Sequence, residues 1–194
     1  MAFSTGVYKE ENVNFFFIDV NMVRLESLSV PPLLEAGTVS NIILDCPYSI
    51  TEKEKKGLVI KWYLNSLHIP IYQWIPPNLP SGLGIMKGKI DLDFQMGSNP
   101  HSKHRALSIR SPTISMSGDY TCKVATVENE VSLTSTMMVY APPKTLSISQ
   151  NHISHELVNI SCMVDRCFPR PEIKIRVDVQ WFGEGGCDSG QFKR

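Results

Sequence analysis

Gly118-Asp119-Tyr120-Thr121-Cys122 sets a tyrosine two residues ahead of a cysteine, and the fold is read outward from it. A second cysteine, Cys46, lies 76 residues upstream, and Trp62 follows Cys46 by 16. An immunoglobulin sandwich needs this set: a cysteine on strand B, a tryptophan on strand C, and a strand-F cysteine with the corner tyrosine before it. The disulfide pins one sheet to the other, the indole packs on it, and the tyrosine anchors the turn between strands E and F. Four positions agree, so the expected fold is all-β, an immunoglobulin-like sandwich. The 76-residue separation leaves room for strands C′ and C″, which makes the domain variable-type.

Period-2 alternation supplies the strands. Ile42, Leu44 and Cys46 share the inward face of strand B, with Ile43 and Asp45 outside. On strand C, Ile60, Trp62 and Leu64 point in, leaving Val59, Lys61 and Tyr63 outside. Ile71-Tyr72-Gln73-Trp74 fits strand C′, opened by Pro70 and closed by Pro76-Pro77, where the ladder needs no donor. Ile90-Asp91-Leu92-Asp93-Phe94 alternates and is expected as a strand; Leu107 and Ile109 mark strand E. On strand F, Tyr120, Cys122 and Val124 face in, and Thr121, Lys123 and Ala125 face out. Leu133 to Tyr140 forms strand G.

Residues 28–140 therefore make the variable-type domain, and residues 1–27 lie outside it with no clear signal peptide. Residues 141–144, Ala-Pro-Pro-Lys, form a stiff linker, because proline fixes φ. Residues 145–194 read as a partial second Ig-like domain, incomplete at its C-terminal side. Val158, Ile160 and Cys162 alternate like another strand B, and Ile173, Ile175, Val177, Val179 and Trp181 like another strand C. This unit has too few strands to bury a core of its own. Cys162 reads as a strand-B cysteine, and no tyrosine-corner run marks a strand-F counterpart, so its pairing stays open. Cys167 and Cys187 pair with each other or remain thiols; the sequence leaves both open.

Nineteen basic residues balance nineteen acidic ones, so no net field draws in nucleic acid or an anionic membrane. No segment approaches the roughly 20 apolar residues of a membrane-spanning helix. The Cys46–Cys122 pair and the sequon Asn159-Ile160-Ser161 point to an extracellular protein, secreted or held at a cell surface, glycosylated at Asn159.

Chemistry is sparsely supported. His101-x-x-His104 and His152-x-x-His155 lack companion ligands at a recognisable spacing and read as solvated loop histidines. Gly82, Gly84 and Gly88 lie between strands, so turn chemistry explains them better than a phosphate cradle. Ser115 and Ser117 have no histidine and acid around them in an elbow motif. The expectation is a non-enzyme without cofactor or metal. The outer face of strands C, C′, F and G carries more weight, with Tyr63, Lys61 and Lys123 as its exposed candidates. Tyr72 and Trp74 join that face if they turn outward and the core if they turn inward. Tyrosine and tryptophan concentrate at binding hot spots. A carrier of small ligands, or an immune-type protein binding a microbial surface, is the competing function; a deep apolar pocket in the first domain would favour it.

More specific stretches add a resemblance. Leu58-Val59-Ile60-Lys61-Trp62-Tyr63, Pro70-Ile71-Tyr72-Gln73-Trp74-Ile75-Pro76 and Gly84-Ile85-Met86-Lys87-Gly88-Lys89-Ile90-Asp91 are three of them. His104-Arg105-Ala106-Leu107-Ser108-Ile109 and Ser117-Gly118-Asp119-Tyr120-Thr121-Cys122 are the others. With these the chain resembles the Beaten path family of insect neuronal immunoglobulin proteins, from about Asn21 to Glu172. The resemblance implies a variable-type domain followed by a second Ig-like domain. It also implies a Sidestep-like immunoglobulin receptor as partner, through homophilic or heterophilic Ig–Ig contact, in axon guidance and synaptic partner choice. Many such domains carry an acid four positions before the corner tyrosine. Met116 stands there, so no ion pair is expected at that corner.

Overall fold

Cys46 and Cys122 are disulfide-bonded, with Cα atoms 6.4 Å apart, in a computed structural model that describes residues 22–66, 68–154, 157–174 and 190–193. The first unit contains β1 (Arg24–Leu25), β2 (Leu33–Glu35), β3 (Asn41–Leu44), β4 (Tyr48–Ser49) and β5 (Val59–Leu64). It begins before the expected boundary at residue 28, since β1 pairs with β4 and Val23 is buried in the core. It continues with β6 (Tyr72–Trp74), β7 (Ser81–Gly82), β8 (Leu107–Arg110), β9 (Gly118–Ala125) and β10 (Glu130–Tyr140). One sheet has six strands in the order β2-β10-β9-β5-β6-β7, with β2 joining β10 in parallel. Opposite it lie the pairs β3–β8 and β1–β4, linked by a bridge between Ser29 and Asp45. The expected variable-type strands C′ and C″ are β6 and β7.

The disulfide joins these layers, and the core closes around it. Leu44, Ile60, Trp62, Leu107, Ile109, Tyr120 and Val124 are all fully buried. Each such side chain contributes about 1.5–3 kcal/mol from burial. The Trp62 indole N–H donates to the carbonyl of Arg105 at 3.1 Å, so the ring enters the core without orphaning its polar edge. The Tyr120 hydroxyl donates to the Met116 carbonyl at 2.8 Å, the corner bond that the Gly118–Cys122 run predicts. Gly118 is also explained. Its φ of 148° disfavours a side chain, and a Cβ there would collide with Asn65, whose Oδ1 accepts the Asp119 N–H at 2.9 Å.

One expected strand is missing. Only Ile90 of the Ile90–Phe94 run bridges, to Ile109; the chain then turns away. Asp91 Oδ1 accepts the Asp93 N–H at 3.3 Å and the Arg110 guanidinium at 2.7 Å. An aspartate bonding to the backbone two residues on makes a turn, and here it defeats the alternation. Of the glycine-rich stretch, Gly82 is strand, not turn, and pairs with Tyr72, while Gly84 and Gly88 are turn residues at positive φ around a short 3₁₀ turn.

The second unit is a three-stranded antiparallel sheet of β11 (Thr145–His152), β12 (Leu157–Asp165) and β13 (Gly190–Lys193), in that order. Register places Leu146 opposite Val164, Ile148 opposite Cys162 and Gln150 opposite Ile160 on one face. Leu146 and Ile148 are 60% and 66% exposed, so that face is uncovered in its outer part. Residues 1–21, His155, Ile175, Val177, Val179, Trp181 and Cys187 lie outside the described residues.

Candidate functional site

The outer face of the six-stranded sheet is laid out by strand register. Lys61 on β5 stands directly opposite Lys123 on β9 and, on its other side, opposite Gln73 on β6. Ser132 on β10 continues the row beyond Lys123, and Ser81 on β7 beyond Gln73. Val59, Ala125 and Glu130 form the next row toward one end; Tyr63, Thr121 and Thr134 form the row on the other side. Thr121 and Thr134 hydroxyls are 2.8 Å apart, and Thr136 donates to Asp119 at 2.6 Å, so this side of the sheet is internally bonded.

The two lysines differ. The Lys123 ammonium donates to Glu130 at 2.7 Å and stands 5.9 Å from the centre of the Tyr63 ring. The hydrogen bond to Glu130 raises the affinity of Lys123 for its proton above that of an ordinary lysine. Among the described residues no carboxylate pairs with Lys61. Both side chains are half-buried by their stems.

Three aromatic candidates need correction. Tyr63 faces out as its phase requires, yet only 5% of it is exposed. A ring flanked on a pleated face by Thr121 and Lys123 has neighbours about 5 Å away, and these cover it. Tyr72 and Trp74 are 2% and 0% exposed core residues, because Gln73 between them takes the outward position. The Tyr72 hydroxyl donates to the His104 carbonyl at 2.8 Å, and the Trp74 indole N–H to the Asn78 carbonyl at 2.9 Å. Burial pushes the Tyr72 and Tyr120 phenols far above the ordinary tyrosine range, so both stay neutral donors.

His104 is no solvated loop residue either. It is 2% exposed, edge-on to Trp74 with ring centres 5.4 Å apart, and its Nδ1 lies 2.9 Å from the Phe94 carbonyl. Its carbonyl and Nδ1 tie the 94–104 loop to the core. His101 offers its carbonyl to the Tyr48 hydroxyl, and His152 ends β11 in exposed surface. Among the described residues no three of histidine, cysteine, aspartate and glutamate gather as metal ligands would. Ser117 is structural: its hydroxyl donates to the Val139 carbonyl and accepts the Val139 N–H. Ser115 contacts only the Thr113 hydroxyl among the hydrogen bonds seen. Asn159 sits mid-strand on β12, half-buried, opposite Asn151 and Gln191.

Sequence reasoning missed two polar anchors and an apolar rim. Arg105 grips Asp45 with two bonds of 2.8 and 3.0 Å, and this pair, not the Met116 corner, holds the charged lock of the domain. The Glu54 carboxylate accepts the N–H groups of Val23 and Thr51 and is 4% exposed. The hairpins after β6 and β9 lie at the same end of the sheet as Val59. They expose Leu79 and Val127 by 81% and 80%, with Ile75 at 37%. A cavity of about 580 Å³ lies in the second unit, lined by Met163, Cys167, Phe168 and Arg170 among others.

No protein-family model matches the chain, and no curated protein does. Solved structures do. Bovine butyrophilin aligns with a TM-score of 0.55 at 16% identity, covering 73% of this chain and 65% of that one. The amphioxus IgVJ-C2 molecule aligns at 0.51 and 18% identity, covering 71% of each. The chain thus spans about 65% of the butyrophilin chain. At such identities the likeness shows the fold, an immunoglobulin-like sandwich. A fold shared with 1345 solved chains singles out no partner.

Proposed function

We propose that this chain is a non-enzymatic recognition protein of the Beaten path type, working outside the cell and binding another immunoglobulin surface protein. The partner in this reading is a Sidestep-type receptor, and the contact serves axon guidance and synaptic partner choice. The outer face of the six-stranded sheet is the binding surface.

The observation that carries the reading is the Gln73-Lys61-Lys123-Ser132 row, presented in register by four adjacent strands. Those strands are immobilised from behind by the disulfide and the Trp62 core. A face already rigid loses little further freedom on binding, so contact energy is not spent on ordering it. The carrier alternative finds less support. The interior of the first sandwich is filled by Trp62, Tyr72 and Trp74, and the 580 Å³ cavity lies in the other unit.

The test places Gln73→Glu in the secreted chain and measures its affinity for a Sidestep-type ectodomain. Loss of at least ~10-fold at an unchanged melting temperature is expected, since an unmatched new carboxylate at an interface centre is costly to cover. Wild-type affinity would remove this face from the contact; absence of binding by the unaltered chain would remove the partner.

A further inference from the structure

We infer that the outer sheet face takes an acidic surface on a different protein and rejects a second copy of this chain, with Lys61 as the residue that meets the partner's carboxylate. The inference deepens the recognition role proposed above and rests on it.

Lys61 and Lys123 face each other directly across β5 and β9, a placement that destabilises a sheet when both are charged. Lys123 is neutralised in part by Glu130 and stacked beside Tyr63. Lys61 has no such relief. Its row neighbours, Gln73, Ser132 and Ser81, carry no charge, and Val59 and Tyr63 flank it along its own strand. Nothing in the fold among the described residues uses the Lys61 ammonium. Once a partner covers this face and excludes water, an unmatched ammonium is costly there and a facing carboxylate strongly favoured.

That asymmetry decides between the two kinds of contact. Two sheets of equal twist stack readily face to face, so shape alone does not exclude a second copy. A two-fold contact, however, sets the same patch against itself. It would crowd two Lys61–Lys123 pairs at the centre, while the carboxylates of this face, Glu130 and Asp119, are engaged by Lys123 and Thr136 and lie one and two rows away. A different protein carrying aspartate or glutamate opposite Lys61 avoids this. The exposed Leu79 and Val127 at the hairpin end give such a partner an apolar margin.

The chain itself serves as the probe when Lys61 is exchanged. Sedimentation equilibrium at low salt compares the full chain with Lys61→Gln and Lys61→Glu. The wild type is expected to remain monomeric. Lys61→Glu gives the central row of each face one ammonium and one carboxylate, so it should self-associate at least ~10-fold more strongly, and salt should weaken it. Lys61→Gln should fall between; adding Lys123→Glu to Lys61→Glu leaves the row uniformly acidic and should abolish the dimer. A wild-type dimer weakened by Lys61→Glu would overturn the inference while leaving the face as a recognition surface. Equal behaviour of all three would overturn it as well. Failure of the recognition reading shows separately, as Gln73→Glu binding the receptor ectodomain undiminished.

Discussion

Trp62 and Tyr63 are neighbours on one strand, and the two faces they serve are built on different terms. Behind β5 the inner face is fixed by shape and by a covalent bond: indole, disulfide and the Tyr120 corner leave no polar atom of theirs without a partner. In front, the outer face is organised by charge, with two lysines opposed and one of them matched. The inner face carries stability. The outer one holds a local imbalance that the fold tolerates and does not need. A sheet can therefore be rigid on one side and selective on the other, with adjacent residues assigned to each.

Breaking the inner face should give the largest effects. Trp74→Ala removes a fully buried indole and its bond to Asn78, and should cost about 3–5 kcal/mol by denaturant unfolding. A loss below about 1 kcal/mol would mean that the ring is not core. Replacing both Cys46 and Cys122 by alanine should cost about 2–5 kcal/mol, seen as a lower melting temperature. A wild-type melt would show that the sulfur bridge is dispensable.

A smaller effect sharpens the comparison at the rim. The Thr51 N–H, with help from the Val23 N–H, holds the Glu54 carboxyl below the ordinary carboxylate range. A depressed folded value means stability that is present above the unfolded pKa and lost as pH falls through the folded one. Glu54→Gln should therefore cost about 1–3 kcal/mol at neutral pH, with the gap to wild type closing in acid. A gap that stays constant down to strongly acidic pH would contradict the carboxylate's role.

How far each face could be read from sequence follows the same division. Cys46, Trp62 and Tyr120 announce themselves because a disulfide and a corner bond demand particular residue types at set spacings. Phase alone placed Lys61 and Lys123 outside, since alternation is local. Burial of Tyr63 was not readable, because it depends on Thr121 and Lys123, about sixty residues away, arriving beside it. Alternation left Tyr72 and Trp74 undecided until Gln73 was seen to pair with Lys61. Asp91 broke a well-patterned strand through one side-chain bond to its own backbone. Arg105 and Asp45 are sixty residues apart and share no motif, so their pair had no local signal.

Gln73 and Trp74 adjoin each other on β6, and exchanging them one at a time tests the account most directly. Affinity for a Sidestep-type ectodomain is measured beside the melting temperature of each variant. Gln73→Glu is predicted to lose at least ~10-fold in affinity at the wild-type melting temperature, as an unmatched charge placed at an interface centre does. Folded Trp74→Ala should melt lower and bind normally. Full affinity in Gln73→Glu would contradict the assignment of recognition to this face.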